Sequence, residues 1–295
     1  MIPEFDETHT QGADDVLDNA TVRRHFARAA PGFDAASALV REVGRRLLER
    51  LDVIRVEPQR ALDLGSSTGA IAEALLKRYR TAQVYALDSA PAMLALARRR
   101  GSWRRRVRVL CADARHLPLA NASLDMVVSN LLLPWCLPPD AVIAEVRRVL
   151  APGGVWLFAT LGPDTLIELR RAWMQVDGAQ HVHPFMDMHD VGDALLRAGF
   201  ADPVMDAERL TVTYPDVPAL LRELKQLGAG SALRTRRGLG GRTALHALQQ
   251  AYVPQADGRI HASGEIVYGL AWGTPPRQRM EDGAVYVPVD VLRRG

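Results

Sequence analysis

The stretch from Arg60 to Leu75, RALDLGSSTGAIAEAL, joins a short apolar segment to an amphipathic one through the turn Gly-Ser-Ser-Thr-Gly. The apolar segment predicts a buried strand, and the segment after the turn predicts a helix. Gly65 and Gly69 let the backbone approach a ligand where the helix exposes its free N–H groups. The stretch therefore predicts a ligand-binding turn at the carboxyl end of a strand, which is where doubly wound sheets bind ligands.

The alternation of short apolar runs with amphipathic segments continues beyond this turn. Further strands are predicted at QVYALD, RVLCAD, LDMVVSN and GGVWLFAT, and helices at AIAEALLKRY, APAMLALARRR and DAVIAEVRRVL. Strands that alternate with helices favour a parallel sheet with helices on both faces. We therefore predict an α/β fold with a doubly wound, mostly parallel sheet, in which residues 58–160 form the core.

The segments on either side of this core have different patterns. Residues 21–57 carry apolar side chains at helical spacing, with a break near Pro31, and predict an N-terminal segment of two helices. Residues 161–275 mix helical segments with two further strands, so we expect this C-terminal half to complete the sheet. Residues 1–20 are predicted as a disordered tail, and residues 276–295 as a second tail.

Composition indicates a globular protein. The chain has 295 residues, of which 48% are hydrophobic and 24% are charged. No apolar run approaches the roughly 20 residues that a membrane helix needs, so no membrane partner is expected. The acidic N-terminus resembles neither a signal peptide nor a transit sequence, which favours a cytoplasmic enzyme. Cys111 and Cys136 lack a CxxC pattern and are predicted to be buried thiols.

The basic residues are almost all arginines, and they occur in two dense runs. These runs are RRRGSWRRRVR at 98–108 and RTRRGLGGR at 234–242, although the net charge is only +3. Each run is either a solvated surface or a patch for a negatively charged partner. Neither run has the interleaved aromatic residues of a base-stacking platform, so nucleic acid is not expected as the partner.

Three candidate sites lie in register at the ends of the first three predicted strands, and each includes an acidic residue. Asp63 lies two residues before Gly65, Asp88 ends the second strand, and Asp113 follows the third. A carboxylate at the position of Asp88 can accept hydrogen bonds from ribose hydroxyls. Each acid alone is equally well explained as a helix cap or a loop residue. Together, and without the Gly-x-Gly-x-x-Gly turn that NAD sites favour, they indicate a different nucleotide-like cofactor.

Residues 58–160 resemble the class I S-adenosylmethionine-dependent methyltransferases, and RVLAPGGVWLF resembles the segment that precedes strand five in that family. The resemblance implies that the turn passes the methionine moiety, Asp88 holds the ribose and Asp113 contacts adenine. The family's usual turn is Gly-Cys-Gly-Thr-Gly, so Ser67 replaces a glycine. If that position needs a positive φ, serine costs about 1 kcal/mol there. The cofactor-binding set implied is Asp63, Gly65, Ser66, Ser67, Gly69, Asp88, Asp113, Ala114 and Asn130.

The segment after the fourth strand is SNLLLPWC, where Asn130 ends the strand and Trp135 follows. The Asn-Pro-Pro-Tyr motif of amino-nitrogen methylation does not occur in the chain. Asn130 either lines a methyl-transfer pocket or serves the turn at the strand end. Methyl transfer requires mainly that a nucleophile is held in line and that water is excluded. Asn130 and Trp135 are therefore candidates for positioning, and no catalytic base is assigned.

Longer segments resemble a narrower family, the malonyl-[acyl-carrier protein] O-methyltransferases of biotin synthesis. They are RRHFARAAPGFDAASALVREV, VVSNLLLPWC, GPDTLIELRRAW, FMDMHDVGDALLRAGFADPVMD and LLRELKQLGAG, and they span roughly residues 22–272. The resemblance implies methylation of the free malonyl carboxylate on an acidic acyl-carrier protein, with the C-terminal half covering the acceptor site. Such a carboxylate is ionised at neutral pH, so no proton has to be removed. Phe33 stands where the family usually has tyrosine.

Four basic residues are candidates for holding the acceptor carboxylate. The candidates are Lys225, Arg234, Arg236 and Arg237, each of which is otherwise a solvated surface cation. His181, His183 and His189 lie close together in the chain. They form either a metal triad with an Asp or, as we expect from their irregular spacing, a cap and a pocket wall without metal. Acceptance of malonyl-CoA stays open.

A second family offers the alternative function. GPDTLIELRRAW and the tail WGTPPRQRMEDGA resemble respiratory complex I assembly factors of the same fold. Some members of that group hydroxylate a protein arginine instead of transferring methyl. The alternatives are therefore an arginine hydroxylase and a cofactor-binding assembly protein without chemistry.

Overall fold

The computed structural model describes residues 17–233 and 241–274. Within these residues the strands form one seven-stranded sheet, in the order β3-β2-β1-β4-β5-β7-β6. Their bounds are β1 Arg60–Leu64, β2 Gln83–Asp88, β3 Arg108–Cys111, β4 Leu124–Asn130, β5 Leu150–Leu161, β6 Phe200–Tyr214 and β7 Ile260–Gly273.

The first five strands are parallel to one another, and β7 is antiparallel to both β5 and β6. The chain order reverses between β1 and β4, so the carboxyl ends of these strands flank the crevice where ligands bind in such sheets. The prediction of a doubly wound, mostly parallel α/β fold is confirmed.

Helices cover both faces of the sheet. They are α1 Asn19–Ala29, α2 Phe33–Ala36, α3 Ala38–Glu49, α4 Ala70–Arg78, α5 Pro91–Ala97, α6 Asp140–Val149, α7 Ile167–Val176, α8 Met188–Arg197, α9 Val217–Gln226 and α10 Arg242–Ala251. One core cluster packs α3, α4 and α5 against the sheet, and a second packs α6 and α8 against its other face. Side chains of successive strand residues point to opposite faces, so neighbours such as Ala61 and Leu62 belong to different clusters.

The N-terminal tail is shorter than its sequence predicts. Leu17 is 1% exposed and forms a β-bridge with Leu233, and the Asp18 carboxylate accepts a hydrogen bond from the Ala20 amide at the start of α1. The prediction of disorder over residues 1–20 is therefore wrong for residues 17–20, since an N-cap and a buried leucine hold them. Residues 1–16 lie outside the described residues, as does the predicted tail at 276–295.

The C-terminal half adds its own apolar cluster beyond the sheet core. Helices α7, α9 and α10 pack together with the carboxyl end of β6 and the first residues of β7. The side chains in this cluster include Leu169, Leu220, Leu248 and Ile260. None of the helices described is long and apolar enough to cross a membrane. This cluster stands beside the carboxyl ends of the central strands, where it provides one wall of a large cavity.

Candidate active site

A cavity of about 610 Å³ opens at the carboxyl ends of the parallel strands. Its walls come from the turn after β1, the ends of β2, β3 and β4, the helices α1 and α9, and the loop before α8. Apolar groups dominate the part built by the C-terminal half. The chain thus brings the predicted cofactor turn and the C-terminal half to one cavity.

The turn after β1 has a left-handed backbone at three positions: φ is 74° at Gly65, 47° at Ser67 and 82° at Gly69. The amides of Gly65 and Ser66 both donate to the Leu87 carbonyl oxygen, over 2.8 and 2.9 Å, and so tie the turn to β2. Ser67 does occupy a positive φ, so the serine carries the cost of about 1 kcal/mol expected for a residue with a Cβ.

Asp63 supports the turn from behind and does not line the cavity. Its carboxylate is buried and accepts a hydrogen bond from the Ala72 amide over 2.9 Å in the first turn of α4. Burial raises the pKa of Asp63 to about 8, and the nearby charge of Asp88 adds to this rise.

Ser66 and Gly69 also lie outside the cavity wall. Ser66 is 6% exposed, and a Cβ at Gly69 would lie 2.8 Å from the Cβ of Ala97 on α5. These residues, with Asp63, shape the turn, whereas Gly65 and Ser67 line the cavity.

Asp88 lines the cavity and joins two strand ends. Its carboxylate accepts hydrogen bonds from the amides of Ser67, over 2.9 Å, and Ala90, over 2.8 Å. Burial raises the pKa of Asp88, although these backbone donors oppose the rise. The carboxylate is therefore held rigidly at the cavity wall.

Asp113 and Ala114 follow β3 and also line the cavity. The Asp113 carboxylate receives two hydrogen bonds from the Arg115 guanidinium, over 2.6 and 3.0 Å. This pairing lowers the pKa of Asp113, so the group is ionised.

Asn130 and Trp135 form the wall at the end of β4. Asn130 Nδ2 donates to the Val40 carbonyl over 2.9 Å, while its buried Oδ1 has no hydrogen-bond partner in the described part of the chain. The Trp135 ring meets Phe26 and His183 edge-on, with centroid distances of 5.1 Å to each. Asn130 thus presents an unsatisfied acceptor at the cavity, and Trp135 joins α1 to the C-terminal half.

Comparison with known proteins assigns the chain to a family. A methyltransferase-domain model matches residues 62–158. The malonyl-[acyl-carrier protein] O-methyltransferase of Laribacter hongkongensis is 50% identical, over 90% of this chain and 94% of its own. That of Halorhodospira halophila is 46% identical, over 94% of this chain and 96% of its own. The chain belongs to the malonyl-[acyl-carrier protein] O-methyltransferase family.

A solved methyltransferase structure shares the fold of this family member. Phosphoethanolamine N-methyltransferase 2 of Haemonchus contortus, in complex with phosphomonomethylethanolamine and S-adenosylhomocysteine, is 18% identical with a TM-score of 0.54. The match covers 86% of this chain and 60% of that chain. Nothing in the comparisons supports the alternative of a complex I assembly factor.

Only one of the predicted carboxylate-binding cations is described in this family member. Lys225 on α9 lines the cavity and is exposed, and it makes no ion pair with another described residue. Arg234, Arg236 and Arg237 lie outside the described residues.

The three histidines have separate partners. His181 stacks on Trp173 with ring centroids 3.7 Å apart, His189 bonds Asp187 at the start of α8, and His183 accepts the Ala232 amide. Among residues 17–233 and 241–274 no group of three His, Cys, Asp or Glu could hold a metal ion.

The contacts of Asp34 were not predicted from the sequence. Asp34 accepts hydrogen bonds from Thr68 Oγ1 over 2.5 Å and from Arg100 over 2.6 Å, which ties the N-terminal helices to the turn. Phe33, beside it, lines the cavity. Arg100, in the first basic run, is thus bound within the protein.

The prediction of a buried Cys111 is wrong. Its thiol is exposed, because β3 is the edge strand of the sheet and Cys111 lines the cavity; Cys136 is buried as expected.

Proposed function

We propose that this protein transfers a methyl group from S-adenosylmethionine to the free carboxylate of a malonyl thioester on acyl-carrier protein. The observation that carries the proposal is the similarity over nine-tenths of the chain to relatives that bear this activity in their names. The product would be the malonyl methyl ester that primes pimeloyl formation in biotin synthesis.

The residues at the strand ends suit the proposed cofactor. Asp88 supplies a fixed carboxylate for ribose hydroxyls, and the unsatisfied Oδ1 of Asn130 is an acceptor that suits a donor such as the α-amino group of the cofactor. The left-handed turn at Gly65 and Ser67 brings backbone close to the same space. Asp113 and Ala114 line the part nearest β3, where adenine would bind.

The chemistry explains why this wall needs no general base. When bound, the cofactor supplies an activated methyl group, and the O–CH₃ bond forms as the S–CH₃ bond breaks. The positive charge of the sulfonium and the negative charge of the carboxylate cancel, and no proton is released. The protein has to hold the ionised carboxylate in line and exclude water. The apolar side chains of the C-terminal half, which include Leu169, Trp173, Phe185, Leu220 and Leu224, suit that task.

Cations at the cavity suit an acidic carrier protein as partner. Arg23 on α1 and Lys225 on α9 both line the cavity and are exposed, and α1 and α9 are in contact. Exposed cations attract an acidic protein over distance and orient its approach. Rim contacts of this kind affect mainly the association rate, which falls with salt.

The test is methyl transfer from labelled cofactor to malonyl-acyl-carrier protein by the purified protein. Label should appear on the acyl-carrier protein, and acetyl-acyl-carrier protein, which lacks the free carboxylate, should stay unlabelled. Absence of label under conditions where the cofactor binds would contradict the proposal. Rescue of a biotin auxotroph by this protein would support the proposed function. The complex I alternative predicts instead a respiratory defect in a strain that lacks the protein. The same assay with malonyl-CoA shows whether the carrier protein is required.

A further inference from the structure

The loop at Gly230 and Ser231 forms part of the cavity wall and continues into a contact with His183. The Ala232 amide donates a hydrogen bond to His183 Nε2 over 3.0 Å. His183 is 5% exposed, and its ring is held edge-on by Trp135. The position and rotation of the imidazole are therefore fixed from two sides.

The hydrogen bond to Ala232 also fixes where the imidazole proton sits. A nitrogen that accepts a hydrogen bond carries no proton, so the proton of neutral His183 is on Nδ1. Burial lowers the pKa of His183 to about 4, and His25 nearby adds to the decrease, so the ring is neutral near pH 7. Within the described residues Nδ1 has no hydrogen-bond acceptor, and His183 lines the cavity.

Ser231 supplies a second unused donor in the same wall. Its Oγ is buried and has no hydrogen-bond partner among the described residues, although Ser231 lines the cavity. A buried hydroxyl without a partner costs about 1–3 kcal/mol, so a ligand that accepted its hydrogen bond at this wall would remove that cost. Ser231 directly precedes Ala232, whose amide binds His183, and both Ser231 and His183 line the cavity.

We propose that His183 Nδ1–H and Ser231 Oγ–H bind the acceptor carboxylate as a pair of neutral donors. This proposal rests on the proposed function and names the part of the wall that would hold the malonyl group. Neither Asn130, whose free atom is an acceptor, nor Asp88 can bind a carboxylate, because both would repel it. Arg115 is engaged with Asp113, and Lys225, although it lines the cavity, is an exposed cation that we assign to the approach of the carrier protein.

Neutral donors suit this reaction better than an ion pair. The carboxylate loses its negative charge as the ester forms, so an arginine clamp would stabilise the substrate more than the transition state. Hydrogen bonds from uncharged donors orient the oxygen with a smaller loss of its reactivity. The arrangement also favours release of the uncharged ester, which no longer attracts a cation.

The test is a comparison of binding, with the protein loaded with S-adenosylhomocysteine so that no reaction occurs. Calorimetry would measure Kd for malonyl-acyl-carrier protein and for acetyl-acyl-carrier protein, which differ by the carboxylate. In Ser231→Ala and in His183→Phe we expect Kd for the malonyl form to rise about tenfold or more, since hydrogen bonds to charged groups are strong. Kd for the acetyl form should stay within about twofold.

His183→Gln provides the conservative control, because its amide keeps both an acceptor for Ala232 and a donor, and it should restore most of the affinity. Ser102→Ala, which does not line the cavity, should change neither constant. Equal losses for both ligands would show a merely structural role and overturn the inference, as would unchanged binding in Ser231→Ala. Wild-type protein that binds both forms equally and transfers no methyl would contradict the proposed function itself.

Discussion

The Asp88 carboxylate accepts a hydrogen bond from the Ser67 backbone amide over 2.9 Å, so the acid at the end of β2 holds the turn at the end of β1. Ser67 has a φ of 47° and would relax away from this conformation without support. Asp88 therefore shapes the turn that faces the cavity and offers a carboxylate in the same wall.

Asp88→Ala is expected to weaken cofactor binding by about ten- to a hundredfold, since it removes both the ribose acceptor and the partner of the turn. Asp88→Asn, which keeps one acceptor oxygen, should lose less. Titration of S-adenosylhomocysteine by calorimetry measures the effect, with the exposed Asp193→Ala on α8 as control. Unchanged affinity in Asp88→Ala would show that the cofactor does not contact this strand end.

The left-handed conformation of Ser67 predicts the order of stability of its variants. Ser67→Gly should match or exceed the wild type, because relief of about 1 kcal/mol of backbone strain is offset in part by the entropy of glycine in the unfolded chain. Ser67→Val should lower the free energy of unfolding by more than about 1 kcal/mol, because β-branched residues tolerate a positive φ poorly. Denaturant unfolding gives both values, and a valine variant as stable as the glycine variant would contradict the assigned backbone.

The contact between Asp34 and Arg100 predicts a coupling between the N-terminal helices and the cofactor turn. Arg100 donates to Asp34 over 2.6 Å and to the Thr68 carbonyl over 3.1 Å. Asp34 is 55% exposed, so a double-mutant cycle with alanine should give only about 0.5–1 kcal/mol of coupling in unfolding.

The kinetic effect of losing this contact should be clearer, because the N-terminal helices carry cavity residues such as Phe33. Arg100→Ala is expected to accelerate cofactor dissociation severalfold, as measured by stopped flow, whereas the exposed neighbour Arg99→Ala should not. Equal rates in the two variants would refute the coupling.

Burial of Asp63 predicts a specific pH dependence of stability. Its pKa is raised to about 8 in the folded protein, so the folded state binds a proton that the unfolded chain releases above its ordinary pKa of 3.8. The bound proton of Asp63 therefore contributes fully to the free energy of unfolding at low pH. This contribution is lost as pH rises toward 8, by up to about 1.4 kcal/mol per pH unit. Asp63→Asn cannot titrate and keeps an acceptor for Ala72.

The variant should consequently gain stability relative to the wild type as pH rises from about 5 to about 7, with Asp193→Asn as the matched control. Urea unfolding at each pH measures the difference. A difference between Asp63→Asn and wild type that is flat with pH would show that Asp63 is ionised in the folded protein.

Local patterns predicted the sheet and the strand ends that line the cavity, because both depend on short segments. The runs RALDL and QVYALD are buried on successive strands, and their order brings Asp88 to the turn after β1. The positive φ of Ser67 could be expected because the family usually has glycine at this position. These features depend on residues close in sequence or on the fixed geometry of parallel strands.

The wall that the C-terminal half contributes to the cavity could not be predicted in this way because its contacts join distant segments. His183 meets Ala232, which is 49 residues away, and Leu17 pairs with Leu233 across most of the chain. Asp34 belongs to no motif of its own, and its partner Arg100 is one of several arginines in a basic run. Cys111 looked like a buried thiol because sequence does not show that β3 is an edge strand.

The most direct test of the account is the chemical identity of the acyl group after the reaction. Malonyl-acyl-carrier protein is incubated with the protein and S-adenosylmethionine, the thioester is cleaved, and the released acyl group is identified by mass spectrometry. The account predicts monomethyl malonate, with the methyl group on the free carboxylate. Unmodified malonate from protein that binds the cofactor, or methyl groups found only on protein side chains, would contradict it.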